Sequence, residues 1–144
     1  MGSGTELCER ALAGPYRALI GSDVDPRALA VAEKNLDAAG IRGATLLVGD
    51  ATSFRPPGPP PTLVISNPPL GRRVQRGAGL GGLLDRFVEN AAALLVRGGR
   101  LVWISPFPRR TRDVAASRGL TLAEAYEVDM GGFAAEMQVL VKKR

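Results

Sequence analysis

Thr62-Leu63-Val64-Ile65-Ser66-Asn67-Pro68-Pro69-Leu70-Gly71 is the stretch on which the reading of the fold turns. Its first five residues are apolar or small, with β-branched Thr, Val and Ile among them. Pro61 fences them in front and Pro68 behind. Such a run has the profile of a short, buried strand in a parallel sheet. It stops abruptly at Asn67-Pro68-Pro69, because proline has no N–H with which to continue a ladder. In open α/β sheets the carboxyl ends of strands are where ligands bind. Asn67 therefore stands where chemistry is expected.

Asn-Pro-Pro suits the gripping of an exocyclic amino group. Such an amine is a poor nucleophile because its lone pair is delocalised into the ring. Two fixed acceptors, the Asn67 side-chain oxygen and the Pro68 carbonyl, can take its two hydrogens and favour a localised lone pair. Those bonds strengthen towards the transition state, and proline's locked φ sets the carbonyls in advance. The plainer reading is a strand-ending turn, since Asn and Pro are common there. The stretch alone does not choose between the two.

Working outward, Arg17 to Asp23 reads as another strand ending in an acid. Asp25-Pro26 then opens a helix as N-cap and first helical residue. Leu29, Ala32, Leu36 and Ala39 keep helical spacing up to Gly40, the expected C-cap. Capping accounts for Asp25 but not for Asp23, which is placed to bind ribose hydroxyls or to sit in a surface turn. Ala44 to Asp50 is a third strand ending in an acid. Asp50 either accepts a bond from an adenine amine or braces its own turn, and taken alone the turn is the better account. Upstream of these strands, Gly2-Ser3-Gly4-Thr5 opens a helix over Glu6–Ala13. A small-residue loop of this kind brings backbone N–H groups close to a ligand, or is a remnant of cloning.

Phe54 to Pro61 carries five prolines and must be an extended surface link. Gly71 to Gly82 mixes glycines with Arg72, Arg73 and Arg76, which suits either a basic lid gripping phosphates or a plain basic loop. Leu83 to Val96 is an amphipathic helix ended by Gly98-Gly99. Arg100 to Ser105 is the next buried strand, and Arg109 to Arg118 a short basic helix stopped by Gly119. Strands over Leu122–Asp129 and Glu136–Lys142 are joined through Met130–Phe133, and the short connection makes them antiparallel. The alternation of helix and strand predicts an α/β, Rossmann-like, doubly wound, mostly parallel sheet closed by an antiparallel hairpin.

Composition bounds the function. The chain has 144 residues, enough for one domain with a real core. Its formal charge of +5 favours a polyanionic partner. There is no histidine, so His-based triads and nearly all zinc sites are excluded, and no metal is expected. The single cysteine, Cys8, cannot form an internal disulfide and fits a reducing cytoplasm. No apolar run is long enough for a bilayer, so no membrane association is expected. Oligomeric state is not legible.

With these motifs in order, the chain resembles the catalytic domain of class I S-adenosylmethionine-dependent methyltransferases. Within them it is most similar to the THUMP-associated RNA methyltransferases, on the phrases NPPLGRRV and GGRLVWISP. The resemblance implies S-adenosyl-L-methionine as cofactor. It implies a cofactor site at Gly2, Ser3, Gly4, Thr5, Asp23, Val24, Asp50, Ala51 and Asn67, and a catalytic motif at Asn67, Pro68, Pro69 and Leu70. The implied activity is methylation of an exocyclic base amine, guanine N2 in ribosomal or transfer RNA. Substrate contacts then fall to Arg72, Arg73, Arg76, Phe107 and Phe133, where core packing is the plainer account of the two rings. DNA adenine or protein glutamine methylation shares the motif, and an inactive RNA-binding fragment is a further alternative.

Two departures from the family pattern stand out. Leu70 occupies the place of a base-stacking aromatic. The family's first strand, which leads into the glycines, and any upstream RNA-recognition domain lie outside the 144 residues. The chain therefore reads as a catalytic domain truncated at its N-terminus.

Overall fold

A computed structural model describes residues 1–68 and 79–143. Its contacts gather into two compact units, Met1–Pro56 and Pro57–Arg144, divided within the proline-rich link.

The first unit runs α1 (Thr5–Leu12), β1 (Ile20–Asp23), α2 (Pro26–Ala38) and β2 (Thr45–Val48). Helix α2 begins as its sequence dictates: the Asp25 carboxylate accepts the Arg27 N–H at 2.9 Å, with Pro26 at the first helical position. It ends at Ala38, a residue or two before the expected stop. Gly40, at φ +70°, turns the chain in the left-handed region. The Gly40 N–H bonds to the Asp37 carbonyl at 3.0 Å and the Ile41 N–H to the Leu36 carbonyl at 2.9 Å, the paired bonds of a Schellman stop. Leu36 and Ile41 then bury together with Leu19, against Leu7, Cys8, Ala11 and Leu46. Strands β1 and β2 are parallel, with Ile20 opposite Thr45 and Asp23 opposite Val48. Both are shorter than their sequence signals: Arg17 and Ala18 are exposed and precede the ladder.

The second unit runs β3 (Leu63–Ser66), α3 (Leu80–Leu94), β4 (Arg100–Ser105), α4 (Pro108–Ser117), β5 (Leu120–Asp129) and β6 (Ala134–Lys142). Its sheet has the order β3-β4-β6-β5. β3 and β4 are parallel, while β6 runs antiparallel to both β4 and β5. Strand β4 alternates Leu101, Trp103 and Ser105 into the interior. Helix α3 lays Leu84, Phe87, Val88, Ala91 and Leu95 against them, and Phe87 meets Trp103 with ring centroids 5.5 Å apart. Helix α3 begins three residues before the sequence signal, at Leu80, taking in Gly81 and Gly82. The reason is tertiary. A Cβ on Gly81 would lie 2.9 Å from the Arg110 guanidinium, and Leu80 packs against the core.

The expected α/β, Rossmann-like plan is thus realised: parallel pairs β1–β2 and β3–β4, and an antiparallel hairpin at the C-terminal end. Among the described residues β1 and β3 each have a single laddered neighbour.

Candidate functional site

In the first unit, the expected cofactor residues gather at the carboxyl ends of β1 and β2. Asp23 ends β1, and its Oδ2 accepts the Gly2 N–H at 2.8 Å and meets the terminal ammonium at 3.3 Å. Its Oδ1 accepts the Asp25 N–H at 3.0 Å. Burial pushes the Asp23 carboxyl up, but the N–H groups of Asp25 and Gly2 and the ammonium more than reverse this. It therefore lies below the usual carboxylate range. The glycine loop is held from α2, where the Asn35 amide donates to the Ser3 carbonyl at 2.9 Å. Gly4 has φ +79°, and a Cβ there would lie 2.8 Å from that of Ala32, so only glycine lets α1 start this close to α2. Gly2, at φ +59°, has open space where a Cβ would point.

Val24 is 67% exposed, an apolar side chain presented to solvent directly after the acid. At the end of β2, Gly49 donates to the Asp23 carbonyl at 3.0 Å, which brings Asp50 and Ala51 to the same end. Asp50 Oδ1 accepts the Thr52 N–H and hydroxyl, both at 2.8 Å, so it does brace its own turn. Ser3 and Thr5 share a hydroxyl bond of 2.9 Å.

In the second unit, Asn67 follows β3 and its side chain is exposed, while Pro68 is half-buried. The amide is not consumed by the core. Phe107, on the turn leaving β4, is 39% exposed, whereas Phe133 in the β5–β6 turn is half-buried. For Phe107, core packing is not the account the structure supports. Pro69, Leu70, Arg72, Arg73 and Arg76 lie outside the described residues.

One feature escaped the sequence reading. Ser105, Thr111 and Gln138 are buried polar side chains at 0% exposure beside a largely apolar core. Ser105 and Thr111 share a 2.8 Å hydroxyl bond, and Trp103 Nε1 donates to Gln138 Oε1 at 3.1 Å. The only sequence signal was a polar residue at an inward-facing strand position.

The first unit thus holds a glycine loop at one acid with a second acid on the neighbouring strand end, and the second unit carries an exposed Asn-Pro after a strand end. The carboxyl ends of strands are where ligands bind in open α/β sheets. A family profile described as "RMKL-like, methyltransferase domain" matches residues 1–136. The tRNA (guanine(6)-N2)-methyltransferase of Thermus thermophilus is 32% identical over 142 residues, spanning 98% of this chain and 42% of that protein. The ribosomal RNA large subunit methyltransferase K/L of Methylococcus capsulatus is 44% identical over 73 residues, 49% of this chain and 10% of that one. The crystal structure of TrmN from Thermus thermophilus superposes with a TM-score of 0.83 at 31% identity, covering 98% of this chain and 41% of the other. The chain thus spans less than half the length of these relatives. It belongs to the RMKL-like methyltransferase domain family.

Proposed function

We propose that residues 1–144 form one methyltransferase catalytic domain that transfers a methyl group from S-adenosyl-L-methionine to an exocyclic amine of an RNA base, guanine N2 in transfer or ribosomal RNA. The observation that carries the reading is Asn67, exposed at the carboxyl end of β3 and followed by Pro68. Family membership and the names of the relatives support it.

The residues present fit the cofactor. The open approach over Gly2 admits a ligand close to backbone N–H groups. Asp23 offers carboxylate oxygens to ribose hydroxyls, exposed Val24 an apolar surface for a flat ring, and Asp50 with Ala51 the neighbouring strand end. When bound, this group supplies a methyl on a positively charged, strongly electrophilic sulfur.

The chain's own task is then positioning and polarisation. Asn67 Oδ1 and the Pro68 carbonyl accept the two amine hydrogens and favour the pyramidal, nucleophilic form. No residue has to remove a proton beforehand, in keeping with a chain that has no histidine. Arg72, Arg73 and Arg76 are the candidates for phosphate contacts, and Pro69 and Leu70 for the apolar side of the base. A single-stranded or flipped-out base fits such a site, because its amine edge must reach the strand end. The cytoplasm is the proposed place of work.

The test is product analysis. The protein is incubated with methyl-labelled S-adenosylmethionine and with transfer RNA, ribosomal RNA, DNA or a protein glutamine substrate. Label in N2-methylguanosine is expected. Label in N6-methyladenine or methylglutamine would reassign the substrate, and transfer to none of them would remove the enzymatic reading.

A further inference from the structure

We propose that Phe107 and Arg109 form a clamp for one nucleotide of the substrate, preset by the buried relay of Ser105, Thr111 and Gln138. This rests on the reading of the substrate as RNA.

The location follows from register. Ser66 of β3 lies opposite Trp103 of β4. β3 ends there, with Asn67-Pro68 following, while its parallel neighbour β4 runs two residues past this register to Ser105. The turn that carries Phe107 therefore leaves the sheet next to the Asn67-Pro68 end.

The turn is held on both sides of Phe107. Its N–H donates to Ser105 Oγ at 3.2 Å. Its carbonyl accepts the Thr111 N–H at 3.0 Å and the Thr111 hydroxyl at 3.1 Å. The two hydroxyls are bonded to each other at 2.8 Å, so the relay closes a ring around this one residue's backbone. Thr111 Oγ1 also lies 3.3 Å from Gln138 Oε1, and Gln138 Nε2 donates to the Pro108 carbonyl at 3.3 Å and to Glu136 Oε1 at 2.8 Å. Thr111 has a single hydroxyl proton, so it serves one acceptor at a time; with Ser105 donating between the two hydroxyls, the Phe107 carbonyl is nearer than the Pro108 carbonyl or Gln138 Oε1.

A fully satisfied buried network rigidifies what it touches. Here it rigidifies a backbone whose side chain is a ring left 39% exposed. Capping α4 explains the relay but not the ring, since any residue at 107 would present the same backbone groups. An exposed ring carried on a fixed backbone suits a flat partner.

Arg109 adds the charge. On α4, Arg110 pairs with Asp85 at 2.6 Å, Arg118 with Glu89 at 2.7 Å, and Arg112 with Glu136. Arg109, exposed on the first turn of α4, has no ion-pair partner among the described residues. A stacking face with an uncommitted guanidinium on the same turn matches a base and its phosphate. Phe133 fits less well. It lines a cleft with Glu127 and Asp129 of β5, whose charge opposes phosphate, and β6 is separated from β3 by β4.

The experiment uses the full-length protein. Binding of a labelled, guanine-containing single-stranded RNA is followed by fluorescence anisotropy. Methyl transfer to the same RNA and calorimetry with S-adenosylmethionine run in parallel. Phe107→Ala is expected to weaken RNA binding about tenfold or more, with Phe107→Trp restoring it. Arg109→Ala weakens it too and lowers the salt slope by about 0.7, one phosphate on a single strand. Cofactor affinity stays unchanged in both. Thr111→Val raises KM for RNA with kcat held within about twofold, and Thr111→Ser restores KM. A Phe107→Ala variant that binds RNA like the wild type overturns the clamp. A Thr111→Val variant that loses RNA and cofactor binding together reduces the relay to a structural role. Wild-type protein that transfers no methyl, while Phe107→Ala loses RNA binding, sinks the proposed activity and leaves the clamp standing. Wild-type protein that binds no RNA overturns both.

Discussion

Removing the Asp23 carboxylate is expected to damage two properties at once. In the folded protein it accepts N–H bonds from Gly2 at 2.8 Å and Asp25 at 3.0 Å, with the side chain only 17% exposed. Hydrogen bonds to a charged group contribute about 1.5–3 kcal/mol each. At the low end, Asp23→Ala costs about 3 kcal/mol for the pair, which lowers the melting temperature by about 6–12 °C. Cofactor binding loses a hydroxyl-to-carboxylate bond as well, about 1.5–3 kcal/mol, or about ten- to over a hundredfold in Kd. Asp23→Asn keeps one acceptor oxygen and should fall between. Asp25→Ala is the control: it removes the α2 cap, costs about 1 kcal/mol, and leaves cofactor affinity intact. Calorimetry with S-adenosylmethionine, alongside thermal melts of the three variants, reads both effects. If Asp23→Ala binds the cofactor as tightly as wild type, or Asp25→Ala loses as much affinity, the role assigned to Asp23 is wrong.

Further predictions concern folding. Gly4→Ala places a Cβ 2.8 Å from that of Ala32 at φ +79°. Left-handed backbone costs an alanine about 1–2 kcal/mol, and the overpacking adds about 1–3 kcal/mol. Gly2→Ala has open space and pays only the backbone term, so Gly4→Ala should melt clearly lower in the same scan. Leu84→Ala, at a residue 1% exposed against the β4 face, should cost about 2–5 kcal/mol in a urea titration. The Asp23 and Glu136 carboxyls both lie below their usual range, the latter chiefly through the Arg112 guanidinium. A lowered carboxyl contributes stability that is present above its unfolded pKa and is lost as pH falls through the folded one. Acid titration of stability should therefore drop below about pH 4, and Glu136→Gln should flatten that drop. An unchanged slope in Glu136→Gln would refute the pairing.

Much of this structure is legible in the residues themselves. Strand β4 is found where expected, over Arg100–Ser105, because a buried apolar run is fenced by Gly98-Gly99 and Pro106. Helix α2 carries its start at Asp25-Pro26 and its stop at Gly40 on its surface. What escaped the reading was decided by distant partners. Gly81 and Gly82 have the composition of a loop, yet they lie in α3, whose first residue, Leu80, packs against the core of the second unit. The relay around Phe107 joins positions 105, 111 and 138, which come together only through the pairing of Trp103 with Gln138 across β4 and β6. Asp23 and Asn67 could be singled out from strand-end chemistry. Asp50 bracing its own turn is likewise what an Asx residue in that place predicts.

The central claim is that the Asn67 amide oxygen, with the Pro68 carbonyl, activates the accepting amine. Steady-state methyl transfer by Asn67→Ala, with cofactor affinity measured on the same preparation, tests it most directly. The account predicts a fall in kcat of about 10²–10³, the usual cost of removing one preorganised polar contact to a transition state, with the cofactor Kd within about twofold of wild type. A variant that transfers methyl groups at the wild-type rate would contradict it.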